Sequence, residues 1–164
     1  MFERVLVPLD GSRLGLRPLR YATEVARRFE AEVILMQVVK RRIPVTVTGG
    51  PESASAMGAE MAVQAALEED RRNAARAKRY LSRKVRGMKS QGITGSYNVE
   101  VGEPAKCIVA FSQREHVDLI VMNTHGKSGL RRAIMGSVAD VVIRESGKPV
   151  LVISPQSRSK KRTR

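Results

Sequence analysis

The sequence predicts an α/β domain built on a parallel sheet, and two observations carry that reading. Five short apolar runs alternate with helix-period segments, and strands that alternate with helices pair in parallel through right-handed crossovers. The runs are nearly continuous in Val, Ile and Leu, as expected of strands covered by helices on both faces. A chain of 164 residues suits one domain. An apolar content of 42% is enough for a core; with no Trp and 4% aromatics, that core is made of Val, Ile, Leu, Ala and Met.

The elements follow in order. Residues 4–9, Arg-Val-Leu-Val-Pro-Leu, read as a buried strand that ends at Asp10-Gly11-Ser12. Leu14, Leu19, Ala22, Val25, Ala26 and Phe29 then fall on one face of a helix. Pro18 stands in its first turn or two, where it is tolerated or kinks the chain. Residues 32–39 are the second strand, and residues 40–58, with Pro44, Gly49-Gly50-Pro51 and Gly58, read as a long loop. A long helix is expected over 59–90, its buried stripe Ala74, Ala77, Leu81, Val85 and Met88, its stop Gly92. Residues 96–101 form the third strand. Pro104 sits well at the first position of a third helix whose apolar face is Ile108, Val109 and Phe111. Residues 118–122 are the fourth strand; a helix follows through Val138, Val141 and Val142, and residues 148–153 are the fifth strand.

Charge sets the chain apart. Thirty Lys and Arg against sixteen Asp and Glu give a net charge of +14. Such a balance favours anionic partners. Residues 71–89 hold nine basic side chains and no acid, and the tail holds five more, Arg158, Lys160, Lys161, Arg162 and Arg164. The basic helix face is ordinarily solvated, and the tail from about residue 155 is expected to be disordered. One cysteine, Cys107, excludes an internal disulfide and suits a reducing compartment. No apolar run approaches the ~20 residues of a membrane span, and no signal peptide is visible. The expectation is a cytoplasmic protein.

The segment with most chemical content is Asn123-Thr124-His125-Gly126, nine residues, then Gly136-Ser137-Val138. It joins a strand to a helix start. Glycines let backbone N–H groups approach a phosphate, and a helix N-terminus adds donors and partial positive charge. Ser137 is expected to cap that helix. In a parallel sheet, ligands bind beyond the carboxyl ends of the strands, here residues 8–12, 37–40, 102–104 and 122–137, so Asp10 and the glycine segment should share one crevice. Lys127, Arg131 and Arg132 could steer phosphates, while His125, Cys107, Met36, Met122 and Met135 read as loop or packing residues. No cluster of His and carboxylates stands at ligand spacing, and no nucleophile–base pair is visible, so neither a metal site nor a catalytic residue is assigned.

These residues together resemble the universal stress protein family, in its ATP-binding branch. The resemblance covers nearly the whole chain, assigning residues 1–154 to the domain and 155–164 to a basic tail. It rests on Val5 to Ser12, Gln37-Val38, Gly102-Glu103-Pro104-Ala105, Asp118 to Met122, His125 to Leu130, Gly136 to Ala139 and Lys148 to Val152. The family's ATP motif, Gly, two residues, Gly, nine residues, Gly, then Ser or Thr, falls here on Asn123, Gly126, Gly136 and Ser137. Asn123 departs from it, although asparagine takes left-handed backbone angles more readily than most residues.

The resemblance implies a three-layer, Rossmann-like sandwich with strand order 3-2-1-4-5, of the adenine nucleotide α-hydrolase kind. It implies adenine and ribose contacts from Pro8, Leu9 and Asp10, a backbone contact to adenine at Val38, and a floor of Met122 and Asn123. Gly126, Gly136, Ser137 and Val138 would hold the phosphates of ATP, ADP or AMP, with Mg²⁺ or Mn²⁺ held through those phosphates. It further implies a homodimer formed through the last strand, Val150 to Ile153. The expected function is that of a nucleotide-binding stress-response or signalling regulator, not an enzyme beyond slow ATP hydrolysis. The alternative is a nucleic-acid-binding accessory protein on the same fold, with a degenerate ATP pocket and affinity carried by the basic helix and tail. An adenylating enzyme of the related superfamily is disfavoured, because the Ser-Gly-Gly-x-Asp-Ser loop is absent.

Overall fold

The computed structural model describes residues 2–12, 16–41, 56–124 and 136–154. Nine elements run in the order β1 (Arg4–Pro8), α1 (Arg17–Phe29), β2 (Glu32–Lys40), α2 (Ala56–Lys89), β3 (Gly95–Gly102), α3 (Pro104–Arg114), β4 (Leu119–Asn123), α4 (Ser137–Glu145) and β5 (Val150–Ile153). The five strands form one parallel sheet in the order β3-β2-β1-β4-β5, so the fold expected from the sequence is the fold observed. The central strand β1 lies with Val5 opposite Val33 of β2 on one side and Leu119 of β4 on the other.

The alternation of side chains along β1 divides the core in two. Val5, Val7 and Leu9 pack with Ala22 and Ala26 of α1 and with Leu81, Val85 and Met88 of α2. Leu6 points the other way, toward Ile108 and Phe111 of α3 and Val142 of α4. The expected stripe of α2 is therefore buried from Ala77 to Met88.

Several local expectations needed correction. Helix α2 begins at Ala56, inside the segment read as loop, and its early turns leave Met57 73% exposed; apolar helix formers outweighed Gly58 there. Strand boundaries move by one or two residues, and β5 starts only at Val150, after Pro149. Pro18 causes no kink: it occupies the first turn of α1, where no intrahelical N–H is needed, and is fully buried. Phe29 does not join the buried face of α1. It is 43% exposed and meets Phe2 edge-on, with ring centroids 5.3 Å apart. Leu14, most of the 40–58 segment and the tail lie outside the described residues. Among the described residues no helix is long and apolar enough to cross a membrane.

A carboxylate fixes β1 at its start. Asp118 Oδ2 accepts the backbone N–H groups of Glu3 and Arg4, each at 2.9 Å, while its own N–H donates to the Arg4 carbonyl at 2.9 Å. These backbone bonds, that from Arg4 first, hold the Asp118 pKa below its ordinary 3.8. The lowered group contributes stability in full above that ordinary value and loses it as pH falls through the lowered one. Asp118→Ala is therefore expected to cost about 1 kcal/mol at neutral pH, the low end for a partly exposed charged acceptor. Denaturant melts at pH 7 and pH 2 check this: the deficit should be present at pH 7 and smaller at pH 2.

Candidate functional site

A cleft of about 290 Å³ opens at the carboxyl edge of the sheet, on the face covered by α3 and α4. The end of β1 supplies Pro8, Leu9 and Asp10; β2 supplies Met36 and Val38; β4 supplies Met122 and Asn123. Pro104 and Ile108 of α3 form one side wall, and Gly136, Ser137, Val138 and Ala139 at the start of α4 form the other. Nine of the ten residues singled out in the sequence line this one cleft, and the tenth, Gly126, lies outside the described residues. So do His125, Lys127, Arg131, Arg132 and Met135. Among the described residues no group of three or more His, Cys, Asp or Glu could hold a metal ion.

Sequence reasoning missed Met36, Ile108 and Ala139, and gave no contact to Pro104 and Thr124 although both fall in segments it placed at the crevice. Met36 had an available signal: it lies two residues before Val38 and so shares its face of the strand. Pro104 and Ile108 are one helical turn apart, but their wall exists only because α3 packs beside β2.

Two helices bring their N-termini to the cleft, and they differ in chemistry. At α3 the side chain of Glu103 accepts the N–H groups of Ala105, at 3.2 Å, and Lys106, at 2.9 Å, while Pro104 has no N–H to offer. That end is capped and its positive potential offset by its own carboxylate. At α4 the cap residue is Gly136, in extended conformation with φ −65° and ψ 146°, and among the described residues no side chain caps the first turn. Ser137 is thus the first helical residue and not the cap expected of it. The reason lies in the preceding chain: the Gly136 N–H donates to the Thr124 carbonyl at 2.7 Å, and the Thr124 N–H to Ile153 at 3.1 Å, which holds Gly136 outside the helix. Asp140 in the first turn pairs with Arg144 at 2.9 Å, so its charge is largely countered.

Between these ends stands Asp10, half-buried, whose Oδ1 accepts the Ser12 N–H at 2.9 Å. The turn needs glycine at Gly11, where φ is +77° and a Cβ would come within 3.1 Å of the Gln37 amide nitrogen. Asn123 needs no such freedom. It is the last residue of β4, in register with Ile153, and is not among the residues with positive φ, so its departure from the glycine motif carries no backbone cost. The cleft therefore offers an apolar wall of Met36, Val38 and Ile108, a carboxylate at mid-length, and an uncapped helix start at the far side. Cys107, beside the α3 wall, has its thiol pushed up by burial and then by Glu100, which keeps it a protonated packing residue.

Comparison with known proteins agrees with this architecture. The model of the universal stress protein family matches residues 1–154. Universal stress protein MJ0531 of Methanocaldococcus jannaschii is 33% identical over 154 residues, a match spanning 93% of this chain and 82% of that protein. The solved structure of MJ0577, from the same organism, superposes with a TM-score of 0.78 at 25% identity over 96% of this chain and 99% of that one. The universal stress protein from Archaeoglobus fulgidus in complex with dAMP shares the fold at a TM-score of 0.56 and 24% identity, covering 93% of this chain and 97% of that one. With the family model spanning nearly its whole length, the chain belongs to the universal stress protein family.

Proposed function

We infer that the cleft binds an adenine nucleotide and that the protein acts as a nucleotide-dependent regulator in the stress response. The observation that carries this reading is the contrast between the two helix starts. An anion is favoured at α4, where the first-turn donors have no side-chain cap, and disfavoured at α3, where the Glu103 carboxylate already occupies them. A ligand with a flat apolar part and an anionic part would lie with its base between Val38, Met36 and Ile108 and its phosphates at Gly136, Ser137 and Val138. Asp10 would accept the ribose hydroxyls. A divalent cation such as Mg²⁺ or Mn²⁺ would be held through the phosphates. We assign the cleft to binding, with at most slow hydrolysis, since among the described residues Asp10 is the one carboxylate that lines it and it already accepts a backbone N–H. The Archaeoglobus fulgidus relative bound to dAMP speaks for the shared fold alone at its identity; the assignment rests on this chain's own cleft.

Regulation is read as acting through a homodimer. β5 is the last strand of the sheet, and Leu151 on it is 37% exposed. An edge strand with exposed apolar side chains suits pairing with a second copy. Leu151→Arg is expected to leave the melting profile near that of the parent and convert a dimer to a monomer in light scattering. A monomeric parent protein would sink this part of the reading.

Isothermal titration with AMP, ADP and ATP in the presence of Mg²⁺ tests the cleft directly. Micromolar-class binding is expected, weakened by about tenfold or more, or about 1.4 kcal/mol, in Gly136→Val, whose side chain would enter the phosphate end. Absence of heat for all three nucleotides with a folded protein would overturn the assignment.

A further inference from the structure

A second concavity lies on the opposite face of the sheet, the face covered by α1 and α2. It is a trough of about 880 Å³ at the carboxyl ends of β1 and β2. Asn73, Arg76, Tyr80 and Arg83 line it from α2, and Lys40 and Arg41 line it from the end of β2. The four α2 residues are spaced three, four and three apart, which puts them on one flank of the helix beside its buried stripe. Ala77, 4% exposed, lies between Arg76 and Tyr80 and leaves room for the depression.

The charge in this trough is mostly positive among the described residues. Four cationic residues line it, Arg76 and Arg83 on α2 and Lys40 and Arg41 at the end of β2, with one carboxylate, Asp10, among the described residues. Midway along α2, and on α3 and α4, some basic side chains find acids: Arg71 and Arg72 pair with Glu68, Arg114 with Glu100, and Arg144 with Asp140; what sets Arg76 and Arg83 apart from the other α2 cations is the concavity they line. Among the described residues, Lys40, Arg41, Arg76 and Arg83 make no ion pair. A solvated basic face would be convex; this one is concave, and low-dielectric walls strengthen the field of the charges that line a cleft. Two neutral donors accompany the cations, the Asn73 amide and the Tyr80 phenol, whose proton is held more tightly by burial and then by Asp10.

We propose that this trough is an anion site for a small oligophosphate ligand, separate from the nucleotide cleft. Arg76 and Arg83 would each form charge-assisted hydrogen bonds to phosphoryl oxygens from α2, with Tyr80 donating between them and the exposed Lys40 and Arg41 at the end of β2 adding positive potential. Asp10 lines both cavities. The nucleotide's phosphates are assigned to the α4 end of the cleft, on the other face of the sheet from Arg76 and Arg83, so the trough takes its own ligand. The source of the chain is either a free inorganic oligophosphate or the phosphates of a second nucleotide.

Isothermal titration of the full-length protein with tripolyphosphate, alone and in saturating AMP, tests the assignment, with ATP added over AMP as the second arm. One equivalent of tripolyphosphate is expected to bind whether or not AMP is present, less tightly as salt rises. In Arg76→Gln/Arg83→Gln the affinity should fall about tenfold or more, the loss of at least one charge-assisted hydrogen bond, with AMP titration unchanged. Both positions are exposed on a helix that glutamine suits, and circular dichroism checks the fold. Extra binding of ATP over AMP that the double substitution removes identifies a nucleotide phosphate chain as the source; its absence, with tripolyphosphate bound, identifies the inorganic chain. Competition between tripolyphosphate and AMP would overturn the proposal, as would no binding, or an unchanged affinity in the double variant, which would place the anion on the basic tail. Direct titration with tripolyphosphate keeps the test valid even if AMP fails to bind.

Discussion

Every functional feature of this molecule depends on the pairing of β1. The strand is hydrogen-bonded on both sides, to β2 and β4, and Val5, Leu6 and Val7 are buried on both faces. From it the chain winds outward through β2 and β3 in one direction, then crosses back to build β4 and β5 in the other. The segments that follow β1 and β4 therefore leave the sheet toward opposite faces, and a crevice opens between them. Asp10 reaches that crevice because it follows β1 by two residues, and the Asp118 clamp at the other end of the strand fixes its register.

Electrostatics adds direction to this geometry. The net charge of +14 draws anions to the molecule as a whole, but it does not choose where they stop. In the proposed function that choice falls to short-range features: a glycine where a capping side chain could stand, a proline and a glutamate that close the neighbouring helix start, and a flank of α2 whose Arg76 and Arg83 line a concavity. Two helices of similar composition thus present opposite character to the same cleft.

Much of this was legible in the sequence, for identifiable reasons. Continuous apolar runs marked the strands, and residues at or just past their carboxyl ends, Val38 and Asp10 among them, could be placed at the crevice by topology. What escaped was whatever depends on packing between elements. Ile108 lines the cleft because of where α3 rests, Phe29 leaves the core for an aromatic contact with Phe2, and Ser137 yields the cap position to Gly136 because of a hydrogen bond from across a loop. The basic run of residues 71–89 was plain as charge. That two of its arginines look into a concavity was not, because curvature is a property of the assembled sheet edge.

The division of the core by β1 has a consequence for how such a protein can change over generations. The two apolar clusters on either face of the sheet share no residue, and substitutions separated by a rigid sheet combine nearly independently. Lineages could therefore alter the lining on the α3/α4 face without repacking the face that carries the basic helix, and the reverse. Asp10 and Val38, which border both cavities, are where that freedom ends: a change at either is inherited by both compartments at once.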